Sequence, residues 1–267
     1  MKGHKIRLLA ILLLFGILLC GCNVSNYIYT EDSLKKVAEK SLKKKYGEEF
    51  IVHSAWAKNA EVFYADCSPK DNSEIVFRAD VYKNGKGVDE DGYKEAVLEE
   101  VANQILMSDF QDVFGNCYMR VLLGSSYYGE VEFQEDQPIN LQLQEYLKKY
   151  SNRIVCDAYI EMHDVSEQDI QTEYEFLTSI LLEKIQVDIC PDVAPKLKVM
   201  IHFVDKEMLK KCEEYFQTST SIMGEFDSEL MKYGEIIGIY KDGNIDIDYE
   251  EYKERRVKYQ DLREKNN

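Results

Sequence analysis

Apolar residues alternate with polar ones over short stretches of this chain and recur every three or four positions over longer ones, so strands and helices are interleaved. Leu34, Val37, Ala38, Leu42 and Tyr46 fall on one helical face. Thr30 is placed to cap that helix, Glu31 and Asp32 suit its positive end, Lys43 to Lys45 suit its negative end, and Gly47 is a natural stop. From Phe50 the period falls to two. FIVHSAWA, EVFYADCS and EIVFRADVY, with a turn between Pro69 and Ser73, predict an antiparallel meander. NGKGVDEDG reads as a break in the sheet, and Asp91 as the entry to a second helix with Tyr93, Ala96, Val97, Val101 and Ile105 inward.

CYMRVLLG and YYGEVEFQ then read as strands, Pro138 as a break, and LQLQEYLKKY as a helix. RIVCDAYIEM predicts a strand. Ser166 to Ile185 predicts a long amphipathic helix with Ile170, Tyr174, Leu177, Ile180, Leu181 and Ile185 inward, and KLKVMIHFV predicts another strand. Strand, helix and strand in that order permit a crossover between neighbouring strands of one sheet. Asp205 caps a helix through Phe216, a polar TSTS loop follows, EIIGIYKDGNIDID folds as a hairpin about Asp242 and Gly243, and the charged tail from Tyr249 is helical. The fold class is therefore α+β, with antiparallel or mixed sheets and helices packed on one face, in two small domains over 30–115 and 116–267. The KKKYGEEF entry after a lysine-rich helix makes the first of these similar to small modules of uncharacterised surface lipoproteins of low-GC Gram-positive bacteria, a resemblance that implies no chemistry.

Before all this stands LLAILLLFGILLCGC, residues 8–22, preceded by Lys2, Lys5 and Arg7. A basic start, an apolar run and a small residue at the end form the tripartite pattern of an export signal. The run is short beside the ~20 residues of a bilayer-spanning helix. Leu19, Cys20, Gly21 and Cys22 resemble the lipobox of bacterial lipoproteins, in which the cysteine is acylated and the signal cut away. Cleavage needs a small residue before the modified cysteine; Gly21 precedes Cys22, whereas Leu19 precedes Cys20, so Cys22 is the expected acyl acceptor. The resemblance implies a signal peptide over 1–21, a tether over 22–29, and a protein held on the cell membrane by diacylglycerol, palmitate-type chains, facing the extracytoplasmic side. Two chains at about 0.8 kcal/mol per buried methylene hold far more firmly than one. An uncleaved signal anchor is the competing reading of the same run.

Charge narrows the partners. The chain carries a formal −16; loss of Lys2, Lys5 and Arg7 would make it about −19. Phosphate backbones would be repelled, so no nucleic acid is expected as partner, and anionic headgroups would be repelled too, which leaves the acyl anchor as the contact with lipid. The cysteines beyond Cys22 are Cys67, Cys117, Cys156, Cys190 and Cys212, widely spaced, without CxxC, and mostly in apolar runs; they read as buried thiols, with one or two disulfides open.

No short catalytic motif appears. His53, His163 and His202 are isolated in sequence, outside any HExxH pattern, and read as ordinary surface or core histidines. EF-hand registers fail on Tyr82 and Tyr240, and an irregular calcium site of Asp242, Asp246, Asp248 and Glu250 has exposed strand acids as its simpler explanation. GxSxG and P-loop patterns are lacking, and no cofactor or metal is expected. The many tyrosines, among them Tyr127, Tyr128, Tyr146, Tyr150, Tyr159, Tyr233, Tyr240, Tyr249 and Tyr252, suit strand and helix packing as well as a binding surface. The reading is a membrane-anchored, non-catalytic binding or interaction protein of the cell envelope, whose partner is a protein or envelope component. The alternatives are an extracytoplasmic hydrolase with a dispersed site around His202 or His163, and a solute-binding lipoprotein.

Overall fold

The computed structural model describes residues 29–123, 142–150, 153–192, 196–220, 225–230, 233–241 and 244–266. The apolar run with Cys22, the YYGEVEFQ segment and the Asp242–Gly243 turn lie outside them.

Helix α1 (Glu31–Tyr46) follows the sequence pattern closely. The Thr30 hydroxyl accepts from the Ser33 amide, and Gly47 closes the helix at φ 82°, a left-handed conformation costly for any residue with a Cβ. Leu34, Ala38 and Leu42 lie on the face buried against an antiparallel sheet of β1 (Phe50–Ala57), β2 (Val62–Pro69), β3 (Phe77–Tyr82) and β4 (Val88–Asp91), paired in chain order. Strand β4 is a correction: NGKGVDEDG does not simply break the sheet. Gly85 and Gly87 take positive φ in the turn, and the chain returns to pair Val88 with Val81 and Asp91 with Ala79. Its three acids conceal an edge strand, because an edge needs no apolar alternation to be held by its neighbour's backbone.

Asp91 ties the entry of α2 (Tyr93–Phe114) to the end of α1. Its buried carboxylate accepts from Lys45 Nζ at 2.7 Å, Tyr46 OH at 2.6 Å and the Tyr93 amide at 3.1 Å. Tyr93 and Ala96 pack into the first core; from Leu98 onward the buried stripe is Leu98, Ala102, Leu106, Phe110 and Phe114, all in a second core. Of the residues expected inward, Tyr93 and Ala96 are buried, Val97 packs half-buried on the first core and Ile105 on the second, and Val101 is 43% exposed. A helix that serves two cores in succession cannot keep one stripe.

The second sheet runs β5 (Cys117–Leu123), β6 (Arg153–Glu161), β7 (Lys196–Val204), β8 (Gly234–Lys241) and β9 (Asn244–Ile245). β6 and β7 are parallel and the other pairs antiparallel, so the fold is α+β with one antiparallel and one mixed sheet. The parallel pair is joined by a helical run, α4, that starts at Glu167–Glu175 under a Ser166–Asp169 capping box. The run continues through Phe176–Ile180 and Leu181–Lys184 to Ile185–Ile189, of which Phe176–Ile180 and Ile185–Ile189 are wide π turns. Each π turn rotates the stripe by about one residue. Phe176 and Leu177 are therefore buried together and Ile180, expected inward, is 46% exposed.

The main core lies on one face of this sheet, beneath α2, α3 (Leu143–Lys149), α4 and the terminal helix α7 (Tyr249–Asn266). The opposite face carries α5 (Lys206–Phe216), capped by Asp205, with Leu230 of α6 (Glu225–Leu230) beside it. Cys67, Cys117, Cys156, Cys190 and Cys212 are all buried and free, so the disulfides left open by the sequence do not form among them.

Candidate functional site

The face of the second sheet under α5 holds an unusual concentration of polar groups. Side chains alternate along strands, so Met119, Val121, Cys156 and Ala158 fill the main core while Tyr118, Arg120, Asp157 and Tyr159 point the other way. Register sets Arg120 opposite Asp157 and Tyr159 opposite His202. Asp157 is buried, with Arg120 Nη2 donating to its Oδ2 at 2.7 Å and Tyr159 OH donating to the same oxygen at 3.0 Å. His202 Nε2 lies 3.3 Å from Oδ1, an ion-pair distance that is not aligned as a hydrogen bond. The His202 ring stacks on Tyr159 with centroids 4.8 Å apart, and the Arg120 guanidinium sits 3.6 Å from the centre of the Phe216 ring.

Burial alone would push the Asp157 carboxyl up, but His202 and Arg120 outweigh it and hold the group at about 2. Burial pushes the Tyr159 phenol up, and the Asp157 charge adds to it. Tyr159 is thus a fixed donor, and Asp157 an anion at neutral pH, wedged among a guanidinium, an imidazole and a phenol.

The network extends into the first sheet. Arg120 Nη1 donates to the Thr220 carbonyl at 3.4 Å, and Thr220 Oγ1 donates at 2.9 Å to Oδ1 of Asp66, buried on β2. Ser219 Oγ, Ser54 Oγ and Arg78 Nε each approach the Asp66 carboxylate at 3.4 Å. Ser219 and Thr220 therefore form a clasp, with Asp66 below them on one sheet and Asp157, through Arg120, on the other. A separate buried group pins α7 to α4: Arg256 Nε and Nη2 donate to Glu173 at 3.0 and 3.2 Å, and Tyr252 OH donates to the same carboxylate at 2.8 Å.

The three histidines among the described residues have separate partners. His53 Nε2 meets Ser68 Oγ at 2.9 Å, exposed His163 sits by the Glu161 carbonyl at 3.0 Å through Nδ1, and His202 alone meets a carboxylate side chain. Burial pushes the Cys212 and Cys156 thiols up to about 12, far from the reactive range of a nucleophile. Asp248 of the irregular acidic group accepts from the Glu251 amide at 2.9 Å as the cap of α7, and Asp242 lies outside the described residues. Among the described residues no group of three or more His, Cys, Asp or Glu side chains is placed to hold a metal. The tyrosines disperse: Tyr146 and Tyr252 enter the main core, Tyr159 the polar face, and Tyr249 packs on Tyr174.

Asp66, Arg120 and Asp157 were not singled out from the sequence. Their signal was nonetheless present, as lone charges inside the apolar runs YADCS, YMRVLL and IVCDAYI. A charge in mid-strand is tolerated in a buried sheet only with a partner across it.

No family model and no curated protein matches the chain. The fold is similar to that in the crystal structure of a DUF5037 family protein from Ruminococcus gnavus ATCC 29149, with a TM-score of 0.65 and 17% identity over 84% of this chain and 99% of that one.

Proposed function

We propose that this protein is an extracytoplasmic lipoprotein, acylated at Cys22, whose folded body is a non-catalytic interaction module of the cell envelope. The observation that carries the non-catalytic part is the condition of Asp157. This carboxylate is buried and engaged by Arg120, Tyr159 and His202, and Arg120 and Thr220 link it to Asp66, so the polar groups of the cluster are spent on holding the fold. Its geometry is that of a structural clasp. The tethered part of the reading rests on Gly21 before Cys22, together with the lack of any helix long and apolar enough to cross a membrane among the described residues. The body's acidity suits a domain that stands off anionic lipid and meets its partner in solution.

The test is Cys22→Ala in cells that process lipoproteins, followed by fractionation. Release of the chain, or its accumulation as an unprocessed precursor without lipid, supports the reading. An unchanged, uncleaved and unlipidated chain in the membranes of parent and variant alike would make residues 8–22 a signal anchor. Crosslinking on intact cells then identifies what the body touches.

The proximity of His202 to Asp157 favours a second reading, a hydrolase that uses this pair. It requires His202→Gln to abolish hydrolysis of envelope material while the fold stays intact; the clasp reading requires only a change in stability.

A further inference from the structure

Strand edges invite pairing with other chains, and proteins blunt them by charge, shortness or bulges. Among the described residues, two of the four outer strands are blunted in this way: β4 carries three acids in four residues and β9 is two residues long. The end of β5 is closed by α2, where the Leu123 amide donates to Glu99 Oε1 at 2.8 Å. β1 differs: its eight residues, FIVHSAWA, include no Asp, Glu, Lys or Arg in a chain that is 31% charged, and Ile51 at its open end is 41% exposed. β2 pairs with one side of β1, and among the described residues no strand pairs with the other.

Register decides what fits that side. The Lys70 amide donates to the Glu49 carbonyl at 2.8 Å, so Glu49 and Ile51 turn their backbone groups toward β2, leaving those of Phe50 and Val52 outward. At the other end the Lys58 amide donates to the Val62 carbonyl, so Ser54 and Trp56 face β2 and Ala55 and Ala57 are outward. The irregularity between Val52 and Ser54 switches the parity. If a second β1 is laid antiparallel about a two-fold axis through this irregularity, Phe50 meets the second copy's Ala57 and Val52 meets its Ala55. Outward groups then oppose outward groups throughout. Both copies carry their extra residue at the same level, so the bulge that would spoil pairing with a regular strand is matched. Ile51 falls opposite the second copy's Trp56 on the face away from the core, a β-branched and aromatic cross-strand pair. The absence of charge along this line lets two strongly acidic chains approach there.

We propose that β1 is a self-association edge, through which two copies join their first sheets into one continuous antiparallel sheet.

The double variant Ile51→Cys/Trp56→Cys tests this in the full chain under mild oxidation, with the parent chain and each single variant as baselines. Positions 51 and 56 of one copy are about five strand residues apart, too far for a disulfide within a chain. A disulfide-linked dimer from the double variant, with a bridging peptide that joins position 51 to position 56, supports the proposal. Four results overturn it: no dimer from the double variant, a dimer equally strong from Ile51→Cys alone, a crosslink to a different protein, or a parent chain that sediments as a monomer at every concentration. Should Trp56→Cys prevent folding, Ile51→Lys serves instead. Loss of the parent's dimer in sedimentation supports the edge, and its persistence overturns it.

Discussion

At the scale of single residues, the molecule depends on a few charges buried in otherwise apolar strands. Breaking a buried pair leaves an uncompensated charge, whereas replacing both members by apolar groups removes the desolvation cost as well. Asp157→Ala should therefore lower the unfolding free energy by roughly 3–5 kcal/mol in urea titrations, and Asp157→Leu/Arg120→Met should cost clearly less than that single change. Equal losses would mean that Asp157 and Arg120 do not act as a pair. The same carboxyl sets an acid limb. Its folded value of about 2 lies below its ordinary 3.8, so the contribution is complete above about pH 5 and is lost as pH falls toward 2. Stability curves for the parent and Asp157→Asn should converge over that window. These residues were legible only as oddities: a lone Asp in RIVCDAYIEM announces that a partner exists, but Arg120 and His202 are supplied by register between distant strands, which local pattern does not encode.

At the scale of elements, periodicity located most strands and helices and failed where an element has more than one duty. α1 packs on one core and its stripe was read correctly, down to the Thr30 cap and the Gly47 stop. α2 crosses from one core to the other and α4 contains π turns, so Val101 and Ile180 turn outward against expectation. The consequence is measurable. Leu106→Ala should cost about 2–5 kcal/mol, as a fully buried leucine does. Val101→Ala should change stability by no more than about 0.5 kcal/mol, since it faces solvent. Chemical denaturation of the two variants checks this, and the reverse order would restore the simple stripe. β4 was hidden for a related reason: its three acids carry no apolar signal, and its pairing comes from the turn with Gly85 and Gly87.

At the scale of the whole molecule, the two sheets share α2 and are clasped where Thr220 and Ser219 meet Asp66. A helix that packs into both cores in succession should make both unfold together. Trp56, the one tryptophan of the chain, reports on the first sheet, while far-ultraviolet dichroism reports on all helices. The two signals should give coincident transitions in urea, and separated midpoints would mean that each sheet is its own folding unit. A body that unfolds as one unit would suit the proposed module at the end of a tether. That role depends on the one stretch whose chemistry the sequence names, the run ending in Gly21 and Cys22. The most direct measurement is the mass of the N-terminal peptide from protein extracted from membranes. The account predicts a chain that begins at Cys22 and carries a diacylglyceryl group on its sulfur; a chain that still begins at Met1 with an unmodified Cys22 would contradict it.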